Sequence, residues 1–155
     1  MSTIAKRLEE LGITLPEAAL AAASYVPWTF TGTTLYIAGQ LPWIGGEKSH
    51  IGRLGAGASV EQGQEAAHNC ALNILAQVRD ACDGDLEKVI RCVKLGGFVN
   101  ATPDFEEHPA VINGASDLIA EVLGDRGKHA RAAVGATSLP FGVMVEIDAV
   151  FEVAT

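Results

Sequence analysis

The sequence predicts an α+β domain in which two helices cover one face of a mixed β-sheet. Two amphipathic patterns at helical spacing alternate with runs of β-branched and aromatic residues, in the order helix, strand, strand, long helix, strand, helix, strand, strand. The 155 residues suit a single domain, with residues 1–20 as an N-terminal helical extension. Because two helices cover only one face of the sheet, self-association is the simplest way to bury the other.

The first predicted elements are a short helix and a β-hairpin. Apolar residues recur at helical spacing over residues 3–11, and Gly12 follows where a helix would end. Residues 25–42 carry β-branched and aromatic residues on both sides of a break at Gly32, which is typical of a hairpin. Residues 43–58 are rich in glycine and lack periodicity, so they predict a loop.

The long helix has the clearest sequence pattern. Ser59 and Gln62 have the spacing of a capping box, in which each side chain bonds the other residue's backbone N–H. Behind them, small and apolar residues recur every three or four positions and predict one buried stripe over about 22 residues. The stripe consists of Ala67, Cys70, Ala71, Ile74, Leu75, Val78 and Cys82.

A half-buried strand and a further helix follow. Residues 89–100 alternate between apolar and polar positions, and the Gly96-Gly97 pair indicates a bulge or a close approach by another backbone. Pro109 suits the first turn of a helix, and Gly124 closes the apolar stripe that begins behind it.

The C-terminal stretch consists of two extended runs, residues 129–134 and 143–151, joined by a turn that contains proline and glycine, which indicates a hairpin or a tight strand connection. Pairing of these runs as a hairpin would bring Arg131 close to Glu146, placing an anion-binding guanidinium beside a candidate general base. Two ordinary interpretations stay open. Arg131 is also explained as a surface ion-pair partner, and Glu146 as a solvent-facing strand residue, since alternation alone puts a polar residue there.

The composition argues against several classes of function. The net charge is −8 and the basic residues do not cluster, which disfavours nucleic-acid binding. Three cysteines without C-x-x-C spacing predict neither a disulfide framework nor a zinc site, and no glycine pattern matches a nucleotide-binding loop. We therefore expect no metal and no cofactor. The absence of a signal-type or long apolar stretch predicts a cytoplasmic protein that is not in the membrane.

Several short segments have the residue types and spacing of a known family. They are Tyr25, Ala38-Gly39-Gln40-Leu41-Pro42, Asn113, Ala130-Arg131, Leu139-Pro140 and Val145-Glu146-Ile147. From about residue 25 to residue 153 the chain resembles the Rid family of reactive intermediate/imine deaminases, also called the YjgF or L-PSP endoribonuclease family. Its length and N-terminal extension resemble those of a longer, more divergent branch.

The resemblance implies a chorismate-mutase-like fold and a homotrimer with clefts between subunits. It further implies that Arg131 pairs with the carboxylate of a 2-imino or 2-enamino acid, and that Glu146 positions or activates the water that hydrolyses it to a 2-keto acid and ammonia. No cofactor takes part. The substrate-binding residues implied are Tyr25, Ala38, Gly39, Asn113 and Ala133.

Three positions depart from the family pattern. Ala38 replaces a usual serine, Ala133 stands where a cysteine is frequent, and His129 stands where a proline is common. One interpretation of His129 is that it binds a different substrate. Loss of the hydroxyl and the thiol leaves the guanidinium of Arg131 in place. Three functions therefore remain: imine hydrolysis, non-catalytic binding of carboxylate metabolites, and the ribonuclease activity of the older family name, which the negative charge disfavours.

Overall fold

The computed structural model describes residues 3–21 and 23–155, so the first two residues of the predicted N-terminal extension lie outside the described part. The elements follow the predicted order. Helices are α1 (Thr3–Glu10), α2 (Val60–Ala81) and α3 (His108–Leu123), and strands are β1 (Trp28–Thr31), β2 (Thr34–Gln40), β3 (Val89–Asn100), β4 (Ala130–Ala136) and β5 (Val145–Val153).

Helix α2 forms as its sequence predicts. The Ser59 side chain accepts from the backbone N–H of Gln62 (3.1 Å), and Gln62 Oε1 accepts from the N–H of Ser59 (2.9 Å), which confirms the capping box. The predicted stripe is buried in the core. Helix α1 ends before Gly12, whose φ of 68° is the left-handed conformation that favours glycine. Within the described residues, no helix is long and apolar enough to cross a membrane.

The five strands form one mixed sheet in the order β1-β2-β5-β3-β4. Strands β3 and β4 are parallel and the other neighbours are antiparallel. The predicted hairpin between residues 129–134 and 143–151 is therefore wrong, because β3 lies between β4 and β5. The physical reason is the β3–α3–β4 crossover. It places β4 on the outer side of β3, and β5 then pairs with the free inner edge of β3.

The two long helices cover one face of the sheet, as predicted. Helix α2 contacts β2 and β5, while α3 contacts β3 and β4. On β5 the alternate residues from Val145 to Val153 are buried, and the residues between them face the other side. That other side, called here the open face, exposes apolar side chains, among them Tyr36 (47% exposed), Phe98 (37%) and Val134 (47%).

The Gly96-Gly97 pair marks a close approach of side chains and not of another backbone. A Cβ on Gly97 would contact Ile112 of α3, and a Cβ on Gly96 would contact the carboxylate of Asp148. The irregularities of β3 against β5 lie nearer its start, between residues 89 and 94. The two glycines therefore let a helix approach one face of β3 and a carboxylate approach the other.

Candidate functional site

Arg131 lies on the edge strand β4 with its side chain turned towards α3. Its Nη1 donates to Ser116 Oγ (3.2 Å), and its Nη2 donates to the carbonyl oxygen of Pro109 (3.2 Å). Among residues 3–21 and 23–155, no carboxylate forms an ion pair with this guanidinium. A guanidinium has five N–H donors in a planar fork, so this one keeps donors available for a carboxylate ligand.

Ser116 holds the guanidinium and is itself fixed by His129. The Nδ1 atom of His129 lies 2.6 Å from the carbonyl oxygen of Gly127 and donates to it, because a carbonyl can only accept. In the neutral ring Nε2 is then an acceptor, and the Ser116 hydroxyl donates to it across 2.9 Å. The oxygen of that hydroxyl is left to accept from Arg131. His129 therefore acts on Arg131 through Ser116.

These residues line a cavity of about 390 Å³ beside α3. Asn113 and Ser116 project from one side of the helix, three residues apart, and Arg131 closes the cavity from β4. We call Asn113, Ser116, His129 and Arg131 the arginine half-site. Ala133 follows on the same face of β4 but packs against the hydrophobic core and does not line the cavity.

Glu146 lies on β5 on the open face, and its carboxylate packs directly over Gly39 of β2. Partial burial raises the pKa of this carboxyl above its usual value, and the negative charge of Asp148 raises the pKa further. A carboxyl group with a raised pKa holds and releases a proton closer to neutral pH, which suits general acid–base catalysis.

Replacing Gly39 with alanine is expected to displace the Glu146 carboxylate with little change in stability. The new Cβ would collide with Glu146 Oε2, the far end of a flexible side chain that can swing away. The matched control is Gly96→Ala, whose Cβ would displace the Asp148 carboxylate in the same manner. For a reaction in which Glu146 transfers a proton, we expect kcat/KM to fall at least about tenfold in the first variant only, with similar melting temperatures. Equal activities in the two variants would contradict this role for Gly39.

Tyr25 and Gly39 line a second cavity, of about 240 Å³, at the β2 side of the molecule. Ala38 does not line it. Its N–H donates to the carbonyl oxygen of Pro27 (2.9 Å), and its own carbonyl oxygen accepts from Gln40 Nε2 (3.1 Å). We call Tyr25, Gly39 and Glu146 the carboxylate half-site.

The two half-sites are separated within one chain, so the expectation that strand pairing joins Arg131 to Glu146 is wrong. Arg131 is in register with Leu95 of β3, and Glu146 is in register with Phe98. Because Leu95 and Phe98 are three residues apart on one strand, they point to opposite faces. Arg131 therefore faces the helices and Glu146 faces the open side.

Sequence reasoning missed several residues that the structure places at these cavities, among them Ser116, Trp43 and Phe141. Ser116 is one helical turn from Asn113 and off the apolar stripe, so the spacing could have indicated it. Trp43 and Phe141 line the second cavity from the 43–58 loop and from the turn before β5. Their proximity depends on tertiary contacts that no local pattern signals. In the described part of the chain, no group of three or more histidine, cysteine, aspartate or glutamate side chains could hold a metal ion.

Comparisons with known proteins agree with this architecture. Residues 5–152 match the family described as "YjgF/chorismate mutase-like, putative endoribonuclease". Protein TCP17 of Trypanosoma cruzi is 49% identical over 152 residues, which cover 96% of this chain and 93% of that protein. The solved structure of the protein Atu1372 from Agrobacterium tumefaciens is 54% identical, with a TM-score of 0.90, and covers 97% of this chain and 92% of its own. A structure from Shewanella oneidensis, described as a "putative endoribonuclease", is 33% identical with a TM-score of 0.93, over 98% of this chain and 100% of its own.

Proposed function

The chain belongs to the YjgF/chorismate mutase-like family, and we propose that it hydrolyses 2-imino and 2-enamino acids to 2-keto acids and ammonia in clefts between subunits. The observation that carries this proposal is Arg131. Its guanidinium is oriented by Ser116 and Pro109, has no carboxylate partner among the described residues, and opens into a cavity beside Asn113. A substrate carboxylate fits this arrangement bidentately.

The proposed reaction needs a carboxylate grip and one proton-transfer group. A 2-enamino acid first takes a proton from solvent at C3, which gives the protonated imine. With the substrate carboxylate on Arg131, Glu146 takes a proton from water as the water oxygen bonds to the imine carbon, and the imine nitrogen, protonated in the substrate, becomes an amine. Glu146 then returns the proton to that nitrogen. The carbon–nitrogen bond breaks with the electron pair leaving on ammonia, and loss of the hydroxyl proton completes the 2-keto acid. Atoms and charge balance without a cofactor.

A homotrimer would join the two half-sites. Each chain carries the arginine half-site at the β4 edge and the carboxylate half-site near β2, so a ring of identical subunits could place one beside the other at every interface. The exposed Tyr36, Phe98 and Val134 of the open face provide apolar surface for such an assembly. In this arrangement each cleft takes Arg131 and Asn113 from one subunit, and Tyr25, Gly39 and Glu146 from the next.

A second candidate function is non-catalytic binding of carboxylate metabolites. Ala38 and Ala133 supply neither a hydroxyl nor a thiol. This favours a pocket that binds an anion through Arg131 but lacks polar contacts that catalysis would use. Ribonuclease activity is supported by the family description alone. The net charge of −8 opposes it, and RNA binding that weakens steeply with salt would be its signature.

The experiment that separates these functions is release of 2-keto acid and ammonia from freshly generated imines. An acceleration over the spontaneous rate supports hydrolysis. If no imine is accelerated but 2-keto acids still raise the melting temperature, the protein is a binding module, because ligands that bind only the folded state stabilise it.

A further inference from the structure

The cavity beside Gly39 has apolar walls and an uncharged lining. Among the described residues that line it, the apolar side chains include Leu20, Pro27, Trp43 and Phe141, and none of the lining residues is charged. The amide of Asn73 is occupied, since its Nδ2 donates to the carbonyl oxygens of Leu41 (2.8 Å) and Trp43 (3.0 Å). Such a lining suits an apolar group.

The position of the cavity links it to the proposed chemistry. Gly39 lines the cavity, and the Glu146 carboxylate packs against the same residue. A substrate whose imine carbon lies near Glu146 would therefore extend its side chain into the cavity. The volume is about 240 Å³, whereas an apolar cavity of about 150 Å³ already holds benzene. There is room for a branched or aromatic side chain, and a methyl group would leave most of the space unfilled.

Packing explains neither the backbone conformation of Phe141 nor its exposure to solvent. Its φ of 59° and ψ of 12° are left-handed, a conformation that is strained for a bulky residue and natural for glycine. Its side chain is 63% exposed, and its ring centroid lies 5.2 Å from that of Trp43. Strained backbone of this kind is concentrated at active sites and ligand-binding sites. A glycine would make the same turn but would leave the cavity without this wall.

The N-terminal extension is fastened over the same cavity. Gln77 Nε2 donates to the carbonyl oxygen of Ala19 (2.7 Å), and Arg79 Nη2 donates to that of Pro16 (2.9 Å). Leu15 is buried in the core just before these contacts. Residues 19–21 are thereby held along the rim, which gives the extension a role in shaping the cavity.

We infer that the substrate of the proposed reaction carries a large apolar side chain, and that Phe141, Trp43 and residues 19–21 select it. That the ligand is hydrolysed rests on the proposed function. The preference of the cavity for apolar side chains does not, and it would hold equally for a protein that only binds carboxylate metabolites. Its physical basis is that each apolar group removed from water in a fitted cavity adds to binding. A small side chain gains little from these walls.

The test compares imines generated from alanine, leucine and phenylalanine. We expect kcat/KM of the wild type to be about 10- to 200-fold higher for the two larger substrates. Phe141→Ala is expected to lower this preference about tenfold or more. The matched control is Phe30→Ala, which removes another exposed phenylalanine in contact with a tryptophan, Trp28, edge to face at 5.8 Å between centroids and outside the cavity. That control should keep the preference.

A second variant separates selectivity from folding and assembly. Phe141→Gly removes the ring and also relieves the left-handed strain, so it should melt higher than Phe141→Ala and show the same loss of preference. A wild type that prefers the alanine-derived imine, or a preference that survives both variants, would overturn the inference. So would a loss of preference that appears only where sedimentation shows a dissociated protein, because Phe141 would then be an interface residue.

The corresponding 2-keto acids distinguish this failure from failure of the proposed function. If the wild type accelerates no imine, the hydrolase proposal fails, and stabilisation by the leucine- and phenylalanine-derived keto acids over the alanine-derived one still supports the cavity's selectivity. Equal stabilisation by all three keto acids would contradict it.

Discussion

Replacing Arg131 with alanine is expected to lower kcat/KM for imine hydrolysis by about 100- to 1000-fold, the usual effect of removing an oriented donor to a developing or fixed negative charge. The variant should also lose stabilisation by 2-keto acids, because the substrate carboxylate loses its bidentate partner. Folding should tolerate the change, since the side chain makes two polar contacts at a half-exposed strand edge.

Two further variants make the Arg131 result specific. Arg131→Lys keeps the charge without the planar fork, so we expect it to retain only part of the activity. Arg7→Ala removes a guanidinium that pairs with Glu10 on the surface of α1, and it should leave kcat/KM unchanged. If Arg131→Ala bound and hydrolysed imines as the wild type does, the guanidinium would have no role in the site.

Replacing Glu146 with glutamine is expected to lower the rate by about 100- to 10,000-fold, the contribution typical of a general acid–base group. As a base, Glu146 works in its ionised form, so the wild-type rate should rise with pH through the raised pKa of this carboxyl and then level off. The variant should lack this rise. Asp148→Asn is the matched control. It should keep the rise but shift it to lower pH, because the charge of Asp148 contributes to the raised pKa of Glu146.

Ionisation of Glu146 is needed for the proposed reaction, but it is expected to lower the stability of the fold. The pKa of this carboxyl is higher in the folded than in the unfolded state, so as pH rises from about 4 the unfolded state loses its proton first and the free energy of unfolding falls. This loss is complete above the folded-state pKa. Glu146→Gln cannot ionise, so denaturant unfolding should show it more stable than the wild type near pH 7 and equal to it below about pH 4. A variant less stable at neutral pH would mean that the ionised carboxylate has a stabilising partner.

Local patterns predicted the elements of the fold well. The capping box and stripe of α2 and the glycine after α1 are set by residues within a few positions of one another, and the structure confirms each. Strand β3 forms at the predicted residues, but its burial does not alternate before Leu95, because its register against β5 shifts twice between residues 89 and 94. The order of the strands depends on distant pairing and was only partly predicted. The turn at residues 140–142 exists, yet it leads from β4 to β5 across β3, because the crossover through α3 decides which edges remain free.

In the candidate site, too, residue types could be predicted from the sequence, whereas their spatial arrangement could not. Tyr25, Gly39 and Asn113 were predicted by resemblance, and Arg131 and Glu146 also from the two C-terminal runs. The structure places these residues in two separate groups. Ser116 is visible only from its contacts, because a helical serine has many ordinary roles. The left-handed backbone of Phe141 could not be predicted, since the rule that glycine takes such positions points to Gly142 next to it.

The most direct test of the proposed inter-subunit cleft is complementation between inactive variants. Arg131→Ala and Glu146→Gln would each be nearly inactive alone. In the proposed trimer, mixing them would create clefts that take Arg131 from the Glu146→Gln subunit and Glu146 from the Arg131→Ala subunit. Random mixing in equal amounts should restore about a quarter of the wild-type activity, because each cleft draws its two halves independently from neighbouring subunits. Native mass spectrometry would confirm that mixed trimers form. Mixed trimers without recovered activity would show that the two half-sites do not meet between subunits and would contradict the proposal.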